Sequence, residues 1–158
     1  MSIDDPAFAA RVERPGRDSP SLTSAGFLLH LAQARLREGV RRAIEGSGLN
    51  GPQLAVLGAL KDRGPMSQRR LGEQTQIEKS SMVQLVDALE AGGWVRRTPD
   101  PSDRRANVVQ LTPEGDRKFT DLGPRLEAAQ EQFLEPLSQP EREALADMLT
   151  RLARNAND

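Results

Sequence analysis

The chain has 158 residues, enough for one compact domain with a modest core. It is 28% charged, 37% apolar and 3% aromatic, with no cysteine and one histidine, His30. This helix-leaning composition excludes disulfides, thiolate metal sites, cysteine nucleophiles and thiol redox sensing, and one histidine is too few for a histidine-rich zinc site.

No Asp-x-Asp loop for Mg or Ca stands out. No window reaches the ~18 apolar residues of a membrane span. The first twenty residues lack the apolar segment of a secretory signal, so a cytoplasmic location is expected. The net charge is −1, unevenly spread. Between Lys61 and Lys118, eleven Lys/Arg face nine Asp/Glu, a local +2, and the remainder carries −3. Any attraction for nucleic acid must therefore come from local placement and not from bulk charge.

Residues 1–21, rich in Pro, Asp, Arg and Ser, read as a flexible N-terminal arm. A long first helix is expected from about Leu22 to Ile44, with Ser21 or Thr23 as cap and Gly46 and Gly48 at its end. Phe27 and Leu31 mark one face of it, and Leu29, Leu36, Val40 and Ala43 another. Apolar surface that broad suits contact with both its own domain and a second chain; an ordinary core helix is the plainer alternative.

A second helix follows Asn50-Gly51-Pro52-Gln53, a capping-box arrangement, with Leu54, Leu57, Ala59 and Leu60 inward. A third starts after Ser67 and includes Leu71. A fourth starts near Glu78 or Lys79, carries Met82, Leu85, Val86 and Leu89 at helical spacing, and ends at Gly92-Gly93. Trp94–Arg97 and Asn107–Leu111 read as two short strands around a turn-rich tip. Thr112-Pro113-Glu114 opens a fifth helix bearing Leu122, Leu126, Ala129 and Phe133. Ser138-Gln139-Pro140-Glu141 opens a sixth bearing Leu145, Met148, Leu149 and Leu152.

The expected fold is mainly α with a small β-wing. A winged helix-turn-helix lobe spans 49–111. Residues 22–48 and 112–158, holding the first, fifth and sixth helices, form a helical dimerisation region.

The fourth helix is the chemically informative one. A major groove admits one helix, whose N-terminal half meets base edges. Ser80 and Ser81 can bond phosphates or bases, Gln84 suits adenine, and Val83 can touch a thymine methyl. Lys79 and the third-helix residues Gln68, Arg69 and Arg70 suit phosphates. A solvated helix face would offer similar residues. The hairpin tip shifts the balance: Arg104 and Arg105 on a thin loop can enter a narrow minor groove, with Asp103 fixing the guanidinium fork. A salt-bridged surface turn is the alternative.

The segments Leu71-Gly72-Glu73, Ser80–Glu90, Gly92-Gly93-Trp94-Val95, Asp100–Ala106 and Leu111-Thr112-Pro113-Glu114-Gly115 together resemble the MarR (multiple antibiotic resistance regulator) family. The resemblance covers about Leu22 to Leu152. It implies an obligate homodimer joined through the first, fifth and sixth helices, with two winged lobes on a pseudopalindromic double-stranded operator. By motif, Arg105 would enter the minor groove and Asp103 would brace the wing. Val83 and Gln84 stand where the family often has Thr or Ser and Arg, and Thr75-Gln76 replaces a common Leu-Gly turn, so no operator sequence carries over.

The resemblance further implies a repressor released from DNA by a small phenolic or anionic effector, bound between the dimerisation helices and the lobe. His30, Arg37 and Trp94 are the candidate lining residues. Plainer readings are an interface histidine and an apolar anchor at the wing root. No catalytic set, metal site or cofactor is expected. The competing function is a winged helix that binds protein without binding an operator.

Overall fold

The computed structural model describes residues 25–100 and 107–154. The described chain forms α1 (Ala25–Ala43), α2 (Gly51–Arg63), α3 (Gln68–Thr75), α4 (Lys79–Ala91), β1 (Val95–Pro99), β2 (Asn107–Leu111), α5 (Pro113–Leu134) and α6 (Gln139–Arg154). All six expected helices and both strands are present. The proposed arm at 1–21 with the caps Ser21 and Thr23, and the wing tip bearing Asp103, Arg104 and Arg105, lie outside the described residues.

The chain divides after Glu38 into two units. In the first, Leu28 and Leu29 of α1 are exposed and Phe27 and Leu31 half-buried. The second holds everything from Gly39 onward, and its core lies under α2–α5 and the sheet.

Local signals explain where the second unit's helices begin. Asn50 Oδ1 accepts from the Gln53 N–H at 2.9 Å and Gln53 Oε1 accepts from the Asn50 N–H at 3.0 Å, a complete capping box. Thr112 Oγ1 accepts from the Gly115 N–H at 3.0 Å and Pro113 takes the first helical position, so α5 starts where the sequence places it. At α6, Glu141 Oε2 accepts from the Ser138 N–H and hydroxyl at 2.8 and 2.6 Å. Arg125 of α5 donates to the carbonyls of Arg42 and Glu45, at 3.3 and 3.1 Å, just where α1 ends and the Arg42 carbonyl also accepts from the Glu45 N–H.

The core is one cluster. Val56, Leu57 and Leu60 of α2 meet Leu71, Met82, Val86, Leu89, Val95, Val109 and Leu122. Leu57 and Leu60 were expected there; Val56 was not, and Leu54 and Ala59 are only partly buried. On α4, Met82, Val86 and Leu89 are buried while Leu85 is half-buried.

β1 and β2 pair antiparallel, from Val95 opposite Leu111 to Pro99 opposite Asn107. β1 thus begins one residue later than expected and runs two residues further, to end on proline, which has no N–H to donate. A contact the sequence did not reveal joins the sheet to the start of α3. Met66 and Val109 exchange main-chain hydrogen bonds of 3.1 and 2.9 Å.

Gly72 lies inside α3, where glycine weakens a helix. The reason is the approach of the turn that follows: a Cβ there would sit 2.9 Å from the Ile77 carbonyl oxygen. Gly72→Ala is therefore expected to lower stability by about 1–2 kcal/mol despite alanine's helix propensity. Urea unfolding checks this, and an unchanged or raised midpoint would contradict it.

Candidate nucleic-acid interface

The helix-turn-helix is α3, a short turn and α4. Ser67 caps α3, accepting from the Arg70 N–H at 3.3 Å. The chain turns at Gln76, which adopts the left-handed conformation (φ 55°, ψ 34°) that a glycine or asparagine usually fills. Its side chain compensates by donating to the Glu73 carbonyl at 2.7 Å. The departure from the usual turn residues noted above therefore leaves the turn intact.

α4 is fixed from beneath by Met82, Val86 and Leu89. The same rotation puts Lys79, Ser80, Ser81, Val83 and Gln84 in solvent on its first two turns. Val83 is 40% exposed, an apolar side chain with no core to join. Glu78 makes no side-chain cap, so the first N–H groups of α4 remain available to an anion beside Lys79, Ser80 and Ser81. Arg69 and Arg70 are exposed on α3, and Arg69 reaches Glu73 one turn on at 3.2 Å. Such an exposed pair is weak and exchanges readily for a phosphate. These seven expected DNA-facing residues lie on two adjacent elements of one unit.

Gln68 is the expected phosphate contact with another partner. With the amide oxygen turned toward Arg97, it accepts from Nε and Nη2 at 3.0 Å each. Arg97 of β1 also donates through Nη2 to Asp87 Oδ1 at 2.5 Å and through Nη1 to Glu90 Oε2, and its main-chain N–H reaches Glu90 Oε1 at 2.9 Å. The Arg97 N–H holds the Glu90 carboxyl below the usual carboxylate range, reinforced by the guanidinium. Burial works against the Arg97 charge, but hydrogen bonds to Asp87 and Glu90 raise its pKa further. This cluster was missed in the sequence. The available signal was an acid pair three residues apart on α4, facing an arginine on the next strand.

At the wing root, Trp94 is half-buried. Its carbonyl accepts from the Thr112 N–H at 3.1 Å, and the Lys118 ammonium lies 5.5 Å from its ring centroid. A Cβ on Gly92 would come within 3.0 Å of the indole. Of the other effector candidates, His30 and Arg37 are exposed on α1 in the first unit, two turns apart on one helix face, and Arg37 donates to Gln33 at 3.0 Å. Among the described residues no group of three or more His, Asp or Glu could hold a metal ion, and no helix is long and apolar enough to cross a membrane.

Residues 47–106 match the model of the MarR family. The transcriptional repressor MdtR of Bacillus subtilis is 30% identical over 114 residues, covering 72% of this chain and 74% of that protein. The chain belongs to the MarR family. Among solved structures, CouR from Rhodococcus jostii RHA1, bound to p-coumaroyl-CoA, superposes with a TM-score of 0.77 at 31% identity, covering 86% of this chain and 95% of that one. BpsR of Bordetella bronchiseptica, whose DNA binding is regulated by 6-hydroxynicotinic acid, gives 0.76 at 28% identity, with 84% and 94% covered. The fold is thus that of MarR winged-helix regulators, and the relatives are transcriptional regulators, not enzymes.

Proposed function

We propose that this MarR-family protein is a homodimeric, sequence-specific repressor that leaves a pseudopalindromic operator when a small phenolic or anionic effector binds. The observation that carries the reading is the two-sided character of α4. Its inner residues are fully buried, so the helix cannot rotate, while Ser80, Ser81, Val83 and Gln84 face solvent on the half that a major groove receives. In this reading Gln84 and the serines read base edges, Val83 meets a thymine methyl, and Lys79, Arg69 and Arg70 bind phosphates. Arg104 and Arg105, braced by Asp103, take the minor groove.

Dimerisation is supported by an apolar face on α6. Met148, Leu149 and Leu152 are 51%, 39% and 64% exposed. A soluble helix seldom leaves such a row in water, and the same face of a second copy would cover it. The effector class rests on the ligands named with two neighbours, the phenolic thioester p-coumaroyl-CoA bound to CouR and the 6-hydroxynicotinic acid that regulates BpsR. His30, Arg37 and Trp94 are the side chains this chain would offer to a ring and a carboxylate.

Gln84→Ala is expected to cost about 1–3 kcal/mol on the preferred duplex and to relax selectivity at one base position in each half-site. Arg70→Ala should instead weaken all duplexes alike and lower the salt slope by about one ion per subunit. Binding titrations on single-base variants of a selected duplex separate the two. If neither substitution changed duplex affinity, α4 would not be the reading element, and a winged helix that binds protein would be the better description.

A further inference from the structure

Arg97 is a cation in the DNA-binding lobe whose guanidinium is already engaged. Its side chain is 25% exposed, against 85% for Arg69. Nη1 goes to Glu90, Nη2 to Asp87 and Gln68, and Nε to Gln68. Those partners lie on the first residue of α3 and on the last two turns of α4, while Arg97 itself is the third residue of β1. One planar fork therefore ties together both helices of the reading motif and the first strand of the wing. With two carboxylates around one guanidinium, the cluster carries a net −1 and offers no attraction to phosphate. Its chemistry is that of a clamp.

The position of the acids explains why a clamp is needed there. Asp87 follows Val83 by four residues and Gln84 by three, so it continues the ridge that faces solvent. A bare carboxylate on that ridge would lie within the ~8 Å screening length of an approaching phosphate. Arg97 draws it toward the wing.

We propose that Arg97 is a positioning residue for DNA recognition: through Asp87, Glu90 and Gln68 it locks the wing strand to the recognition helix, so that the groove-reading helix and the wing arrive on DNA at one fixed spacing. The inference rests on the DNA-binding reading above. A lysine cannot replace it, because one ammonium cannot span two carboxylates and an amide in the way a planar, five-donor guanidinium does.

The test compares the wild type, Arg97→Lys and the near-isosteric pair Asp87→Asn/Glu90→Gln. The probes are a duplex of about 30 base pairs recovered by the wild type from a randomised pool, long enough for two half-sites one turn apart, and a shuffled duplex of equal composition. Arg97→Lys should lose about tenfold on the selected duplex, the size of one lost base contact, with binding to the shuffled duplex unchanged. Asp87→Asn/Glu90→Gln should lose selectivity in the same way although it removes two negative charges.

Amide hydrogen exchange of the whole chain supplies the second readout. Exchange should quicken in β1 and β2 in both variants and stay slow in the buried α2 core. If both variants keep the wild-type ratio of selected to shuffled binding, or if the double variant merely tightens on both duplexes, the clamp is overturned. Should the wild type select no duplex at all, the DNA reading itself fails, and unchanged exchange in β1 and β2 would separately remove the clamp.

Discussion

Gly115→Ala is expected to be the most damaging single-methyl substitution in the second unit, lowering stability by more than about 3 kcal/mol. Gly115 is buried in the first turn of α5, and a Cβ there would lie 1.9 Å from the Trp94 carbonyl oxygen, 2.8 Å from its carbon and 3.0 Å from its Cα. All three atoms are backbone, so no side-chain rotation can relieve the overlap. The same Trp94 carbonyl accepts from the Thr112 N–H, and Thr112 donates to the Gly93 carbonyl at 2.7 Å. Moving α5 away would break both bonds and lift the wing root from the helix. At about 2–4 °C per kcal/mol for a chain of this size, the unfolding midpoint should fall by roughly 10 °C. Gly123→Ala is the control. It lies in the same helix with nothing within 4 Å of its Cβ position, so it should be neutral or slightly stabilising. Thermal unfolding of the two variants decides: equal midpoints would mean that α5 does not approach the wing root so closely.

Met148→Glu/Leu152→Glu is expected to yield a folded monomer with operator affinity down by about a hundredfold or more, the loss of two-site binding. The two residues are one turn apart on α6, and at 51% and 64% exposure they contribute little to the fold of one chain. Two glutamates at that spacing would place four like charges against one another in a paired arrangement. Light scattering should give twice the 17.3 kDa chain mass for the wild type and a single chain mass for the variant, with helix content by circular dichroism retained. A variant that stays dimeric would place the interface elsewhere. A wild type that is monomeric at micromolar concentration would remove the dimer from the account.

Much of the fold could be read from the sequence because its signals are local. Asn50 with Gln53, Thr112 with Pro113, and Gly92-Gly93 each act within four residues, and each marks a helix end that the structure has. The apolar period on α4 likewise fixed which side chains face out. What stayed hidden depends on chain segments far apart. Met66 joins Val109 across 43 positions, and nothing in either neighbourhood announces that bridge. Arg96 and Arg97 look equally available beside a DNA-reading helix. Only the packed lobe shows Arg97 taken up by Asp87, Glu90 and Gln68, and Arg96 facing the Gln110 amide. Gln68 could not be separated from Arg69 and Arg70 for the same reason. Gln76 shows a subtler case. Its residue type gives no sign of a left-handed turn, which the packing of Ile77 and the bond to the Glu73 carbonyl stabilise instead.

This lobe is expected to read double-stranded DNA by placement and not by bulk charge. Binding of the full-length wild type to its selected duplex and to the shuffled duplex, followed from low to high salt, tests it most directly. Expected are a steep salt dependence on both, a selected-over-shuffled preference of about a thousandfold or more, and protection of an inverted repeat with half-sites one helical turn apart. Equal affinity for the two duplexes, or affinity indifferent to salt, would contradict it.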